Sequence, residues 1–241
     1  MNPGSNSGEQ GYVTINGFAL WHVTRVRDEA DNMTPVVVVI EGDGRPWTNP
    51  WQIAADPTPA RPLLLGWFNQ WPGEAIYLGR PCYFQKRYRA CDPAWYTRNR
   101  YGAIVTDALA KAIEQLAGRR AVMLVGHSGG GTLCMLIAGR IPQKVSAVVT
   151  LAGNLNTSAW TRHHGFSPLT GSLDPSRLEV LPASIRQVHI ATVSDTVILR
   201  EWIEQEAGRQ QAEYYIWPVD GHAGWSEEWV RLNQLITSMG D

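Results

Sequence analysis

Val122-Met123-Leu124-Val125-Gly126-His127-Ser128-Gly129-Gly130-Gly131 decides how the whole chain is read. The first four residues are a short apolar run, as expected of a strand buried on both faces of a parallel sheet. Residues 132–141 continue helically, and Pro142 stops the helix. Between strand and helix lies the pattern G-x-S-x-G, with Gly126 and Gly130 two residues either side of Ser128. A sharp strand-to-helix turn strains the serine dihedrals and brings the flanking chain close to neighbouring backbone. Glycine has no Cβ to clash there. The turn lifts the Ser128 hydroxyl clear of the sheet and sets the free N–H groups of a helix N-terminus beneath it.

On either side of this motif, strands alternate with helices. Residues 12–15 and 18–26 form a hairpin around Asn16-Gly17, a strong two-residue turn signal. Residues 36–41 are a β-branched run suited to a doubly buried strand, and 62–70 hold a short helix. Strands are expected at 75–78, 121–125, 145–151, 187–193 and 213–217. Helices are expected at 101–116, with Gly118 as C-cap, at 196–206 and at 226–239. Residues 152–186 show no clear period and read as a lid-like insertion. The fold class is therefore α/β: one domain over 12–241, a mostly parallel sheet with helices on both faces, and residues 1–11 as a flexible tail.

Serine is a weak nucleophile until a base takes its proton, and the base needs an acid to orient it. In a strand-turn-helix setting of this kind the chain order is Ser, then Asp or Glu, then His. His222 follows the strand at 213–217 after a short turn, so it is the candidate base. Asp195 follows the strand at 187–193, so it is the candidate acid, although Asp is equally suited to capping a helix there. Asp220 is the rival acid, two residues from His222. His163 and His164 fall in the insertion, and His189 falls inside a strand. The backbone N–H groups of Gly129 and Asp43 are the candidate oxyanion donors, Asp43 lying in Glu41-Gly42-Asp43-Gly44 after the strand at 36–41. Because a backbone donor survives side-chain replacement, Asp43→Ala is expected to be mild.

Composition narrows the class. The 241 residues carry 21 Lys and Arg against 22 Asp and Glu, with 44% hydrophobic residues, too apolar for disorder. The balanced charge gives no drive toward nucleic acid. No apolar run approaches the roughly 18 residues of a membrane span. Residues 1–10 are polar and Gly/Ser-rich, unlike a signal peptide. No metal pattern, phosphate loop or dinucleotide fingerprint occurs, so no cofactor is expected. Arg80, Lys86, Arg87, Arg89, Arg98 and Arg100 read either as an anionic-ligand patch or as a solvated face, and their lack of a common register favours the solvated face. Cys82 and Cys91 are either a disulfide in an oxidising compartment or two reduced thiols; Cys134 sits in an apolar run.

These residues together resemble the α/β-hydrolase fold superfamily of serine hydrolases, from about residue 12 onward. More narrowly, Ile40-Glu41-Gly42-Asp43-Gly44, Arg80-Pro81-Cys82, Cys91-Asp92-Pro93 and Ala152-Gly153-Asn154-Leu155 resemble a group of small bacterial α/β hydrolases whose members often look exported. The resemblance implies Ser128, Asp195 and His222 as triad and a small ester or related acyl substrate. Glu41-Gly42 stands where the superfamily often has His-Gly.

Tryptophan is over-represented, at 11 against 4 Phe. Trp47, Trp160 and Trp225 lie on segments expected to converge on Ser128 and are candidates for an aromatic acyl pocket. A second reading takes Trp47, Trp51, Trp67, Trp71, Trp95 and Trp160 as the surface of a hydrolase-fold binding protein with little catalysis. Thioesterase or amidase chemistry is a further alternative within the first reading.

Overall fold

The computed structural model describes residues 8–26, 34–85 and 91–240. The elements run β1 (Glu9–Ile15), β2 (Phe18–Arg25), β3 (Val36–Ile40), β4 (Trp47–Asn49), β5 (Gln52–Ile53), α1 (Leu63–Phe68) and β6 (Ala75–Leu78). Then follow α2 (Ala103–Ala117), β7 (Val122–His127), α3 (Gly129–Arg140), β8 (Val145–Leu151) and α4 (Thr157–His163). The chain closes with β9 (Arg186–Thr192), α5 (Arg200–Gln210), β10 (Glu213–Trp217) and α6 (Trp229–Gly240).

Eight strands form one sheet in the order β1-β2-β6-β3-β7-β8-β9-β10. β1 and β2 pair antiparallel through the Asn16-Gly17 turn, and β2 pairs antiparallel with β6. From β6 to β10 every pairing is parallel. β3 and β7 are buried throughout, as the apolar runs of residues 36–40 and 122–125 require, and Gly126 and His127 are buried with them. β1 starts at Glu9, so residues 9–11 are paired strand rather than tail; residues 1–7 lie outside the described ones.

Each face of the sheet has its own core. One holds α2, α3 and Ile203 of α5. The other holds α1 and α6 with five indoles: Trp67, Trp71, Trp217, Trp225 and Trp229. Trp67 is fully buried and Trp71 nearly so. The surface expected of Trp67 and Trp71 is therefore corrected: five of the eleven tryptophans fill this second core. α3 is buried from Gly129 to Ala138, and its glycines are what let it approach. An added Cβ on Gly126 would lie 2.6 Å from the Gly131 nitrogen, and one on Gly130 would lie 2.7 Å from the Glu41 carbonyl oxygen.

The insertion and the start of α5 differ from the sequence reading. The insertion holds a helix, α4, capped by the Asn156 side chain, which accepts from the Ala159 N–H at 2.9 Å. α5 begins at Arg200, four residues after the expected start, because residues 195–198 form a turn around the Asp195 carboxylate.

Candidate active site

Ser128 sits between β7 and α3 at φ 53° and ψ −120°, left-handed backbone that costs a non-glycine residue energy. Its surroundings over-determine that conformation. The Ser128 N–H donates to the Leu151 carbonyl at 3.0 Å, and the Ser128 carbonyl accepts from the N–H groups of Gly131 and Asn154, both at 3.0 Å. Asn154 belongs to Ala152-Gly153-Asn154-Leu155, and its carbonyl accepts from the Thr132 hydroxyl at 2.6 Å. That segment braces the turn from the end of β8, a role its sequence did not declare.

Asp195 and His222 meet. His222 Nδ1–H donates to Asp195 Oδ2 at 2.7 Å. The Asp195 side chain is 1% exposed and that of His222 is 20% exposed, so the pair has one shielded and one accessible end. Asp195 Oδ1 accepts from the N–H groups of Val197 at 2.7 Å and Ile198 at 3.0 Å. The carboxylate thus caps a turn with one oxygen and orients the imidazole with the other. Burial pushes its pKa up, but the hydrogen bond and charge of His222 and the two N–H groups outweigh burial and hold it below the usual range.

The rival candidates have other tasks. Asp220 accepts from the Ser194 hydroxyl at 2.9 Å, and that hydroxyl accepts from the Gly221 N–H at 2.9 Å, which ties the Asp195 loop to the His222 loop. His164 Nε2–H donates to the Val197 carbonyl at 2.8 Å. His163 stands edge-on to Trp202. His189 is fully buried on Thr150, and burial lowers its pKa to about 4.

No hydrogen bond joins the Ser128 hydroxyl to His222 among the described residues. Such bonds are often long before substrate arrives and tighten in the reacting complex.

The loop after β3 runs beside Ser128. An added Cβ on Gly42 would lie 3.4 Å from Ser128 Cβ. Glu41, 4% exposed, accepts from the Leu65 N–H at 2.9 Å. α1 has no side-chain cap of its own, so Glu41 satisfies an orphan donor in its first turns. Burial raises the Glu41 pKa against the N–H groups that pull it down.

Asp43 is held hard. Its carboxylate accepts from Arg80 Nη1 at 2.6 Å, Arg100 Nη1 at 2.9 Å and the Tyr101 hydroxyl at 2.6 Å. Its carbonyl accepts from the Tyr83 hydroxyl at 2.7 Å. Burial would raise the Asp43 pKa, yet the two guanidinium groups drive it far below the ordinary carboxylate range. Arg80 and Arg100 are 1% and 6% exposed, so the solvated face expected of them is corrected. Lys86, Arg87 and Arg89 of that set lie outside the described residues. Cys82 and Cys91 form a disulfide beside Arg80 and Tyr83, and Cys134 is free and buried.

The three candidate substrate indoles separate. Trp225 is fully buried, and its Nε1–H donates to the His222 carbonyl at 2.9 Å. With no exposed surface its indole offers no face to a ligand, which corrects its assignment to a pocket wall. Trp47 is 42% exposed on the β4–β5 hairpin that follows the Asp43 loop. Trp160, on α4, is half-buried against Phe166. A cavity of about 550 Å³ lies in the insertion, lined by Thr157, Thr161, Leu169, Ser172, Asp174 and Arg177 among others, with no indole in its wall.

Residues 82–176 match the family model described as the alpha/beta hydrolase fold. The chain has the α/β-hydrolase fold. It is similar to the meta-cleavage product hydrolase of Pseudomonas fluorescens at 13% identity, covering 97% of both chains with a TM-score of 0.63. It is also similar to the thioesterase domain from the curacin biosynthetic pathway, at 12% identity over 96% of this chain and 100% of that one, TM-score 0.63. A thermophilic esterase aligns at 12% identity over 95% and 96%, TM-score 0.61. No curated protein matches the sequence. Fold and family model together support a hydrolase. No helix among the described residues is long and apolar enough to cross a membrane.

Proposed function

We propose that this α/β-hydrolase is a serine hydrolase, foremost a carboxylesterase, working through an acyl-enzyme on Ser128. One contact carries the reading: the 2.7 Å bond from His222 Nδ1 to the shielded Asp195 carboxylate. It leaves Nε2 of the same ring free to take a proton, and the serine that would give it up, Ser128, stands on a strained turn.

In this mechanism the Ser128 oxygen attacks the ester carbonyl as His222 Nε2 takes its proton. Asp195 fixes the tautomer and steadies the imidazolium without itself becoming protonated. The tetrahedral oxyanion is held by the Gly129 and Asp43 N–H groups, each worth about 2.7–4 kcal/mol where such donors have been removed. His222 returns the proton to the departing alcohol. Water then attacks the acyl-enzyme with the same base, releasing acid and regenerating Ser128. Trp47 and Trp160 remain the proposed aromatic contacts. Ester is ranked above thioester and amide on fold analogy alone. The binding-protein reading loses Trp67 and Trp71, which are buried.

A fluorophosphonate probe should label the wild type at Ser128, and Ser128→Ala should abolish both labelling and turnover of short nitrophenyl esters. A panel of acyl lengths and thioesters would then set the substrate class. A folded wild type that takes up no probe and turns over no acyl substrate would sink the proposal.

A further inference from the structure

We propose that His127, the residue before the nucleophile, is the positioning residue of the base: its ring clamps the backbone of His222 while that side chain binds Asp195. This rests on the serine-hydrolase reading above. His127 Nε2 lies 2.9 Å from the His222 carbonyl oxygen. A carbonyl oxygen only accepts, so that nitrogen carries the proton, which fixes the tautomer of His127. The Trp225 Nε1–H donates to the same oxygen at 2.9 Å. Two buried donors therefore converge on one carbonyl, with His127 at 7% exposure and Trp225 at 0%.

The clamp answers a mechanical need. His222 lies in a turn between β10 and a 3-10 segment at Trp225–Glu228, outside any strand or helix. Gly221, next to it, has a φ of 64°. Asp195 orients the ring, but nothing in regular secondary structure fixes the chain that carries the ring. The His127 and Trp225 donors supply that fixation. They also pack on it: the His127 and His222 rings lie 4.6 Å apart, and His127 to Trp225 is 6.4 Å.

His127 also reaches the third segment of the site. An added Cβ on Gly42 would lie 3.3 Å from His127 Nδ1. One imidazole thus spans the serine turn, the Asp43 loop and the base loop. Burial keeps it neutral, with its pKa lowered to about 3, so it sets no second positive charge beside His222 when that ring takes the serine proton.

The test uses His127→Phe, which keeps a ring and deletes the donor, and His127→Gln, whose amide N–H can reach where Nε2–H lies. In His127→Phe, kcat for a short nitrophenyl ester should fall roughly 10- to 100-fold with KM little changed, the pattern of a misplaced catalytic group. His127→Gln should recover most of it. The downfield proton resonance of the His222–Asp195 hydrogen bond should broaden in His127→Phe and return in His127→Gln. If His127→Phe does not fold, Trp225→Phe removes the other donor and carries the same expectations. Full kcat and an unchanged resonance in the donor-deleted variant overturn the proposal. So does equal impairment of the Phe and Gln variants, which would make His127 a packing residue. If the resonance responds as described but the wild type takes no fluorophosphonate, the clamp stands and the hydrolase reading falls.

Discussion

Asp43→Ala separates what the sequence suggests from what the structure requires. If Asp43 acted only through its backbone N–H, the substitution would be mild. The structure gives the side chain a larger task. Arg80 and Arg100 have side chains 2% and 7% exposed, and each donates to a different oxygen of Asp43. Removing the carboxylate leaves two buried guanidinium groups facing each other with no counter-charge. Breaking one buried ion pair by deleting a partner costs about 3–5 kcal/mol, so Asp43→Ala should lose at least that. For a domain of this size that corresponds to a drop in Tm of about 6–20 °C, at roughly 2–4 °C per kcal/mol. The loop also loses the anchor that aims its N–H, so ester turnover should fall in whatever fraction remains folded.

Equilibrium urea unfolding measures the loss, and a double-mutant cycle assigns it. Arg80→Met removes one of the two stranded charges, so Asp43→Ala with Arg80→Met should be far less unstable than the two single effects summed. If Asp43→Ala changes stability by less than about 0.5 kcal/mol, the range of an ordinary surface substitution, the buried cluster is not what holds the loop.

Two further outcomes are expected. Burial lowers the pKa of His127 to about 3 and that of His189 to about 4. From the free imidazole value of about 6.5 down to 4 the unfolded chain therefore binds protons that the folded chain refuses. Stability should fall with pH across that window by about 1.4 kcal/mol per unit for each ring. Urea midpoints across the window should show the slope, and His189→Gln should remove about half of it; an unaltered slope would mean that His189 titrates normally. Reduction of Cys82–Cys91, nine residues apart, should cost about 2–3 kcal/mol by loop entropy. Unfolding with and without a phosphine reductant checks this, and an unchanged midpoint would refute it.

The parts legible in the sequence are those whose physical requirement is local. The turn at Ser128 announces itself because its first glycine, Gly126, answers a clash within five residues. Gly126 meets Gly130 and Gly131, and these are neighbours in the chain. β3 and residues 122–125 of β7 are legible for the same reason, since burial on both faces demands a run of apolar residues. The start of α5 was misplaced because Asp195 carries two roles that predict the same residue type. Its Oδ1 caps a turn, as the helix-start reading implied, but its Oδ2 is committed to His222, and the helix begins only at Arg200.

Direction is harder to read than position. Trp225 falls three residues from His222, and the two do touch. Spacing could not say whether the indole faces the solvent side of His222 or the core. Arg80 and Arg100 pose the same problem more sharply. Their spacing fits no periodic face, and that irregularity suggested solvent. It arises instead because both converge on Asp43, 37 and 57 positions away, from loops that no repeat governs. A charged residue out of register with its own element is therefore as consistent with a buried long-range partner as with water. What distinguishes the two is a carboxylate that also lacks a local partner, and here Asp43, between two glycines, was that residue.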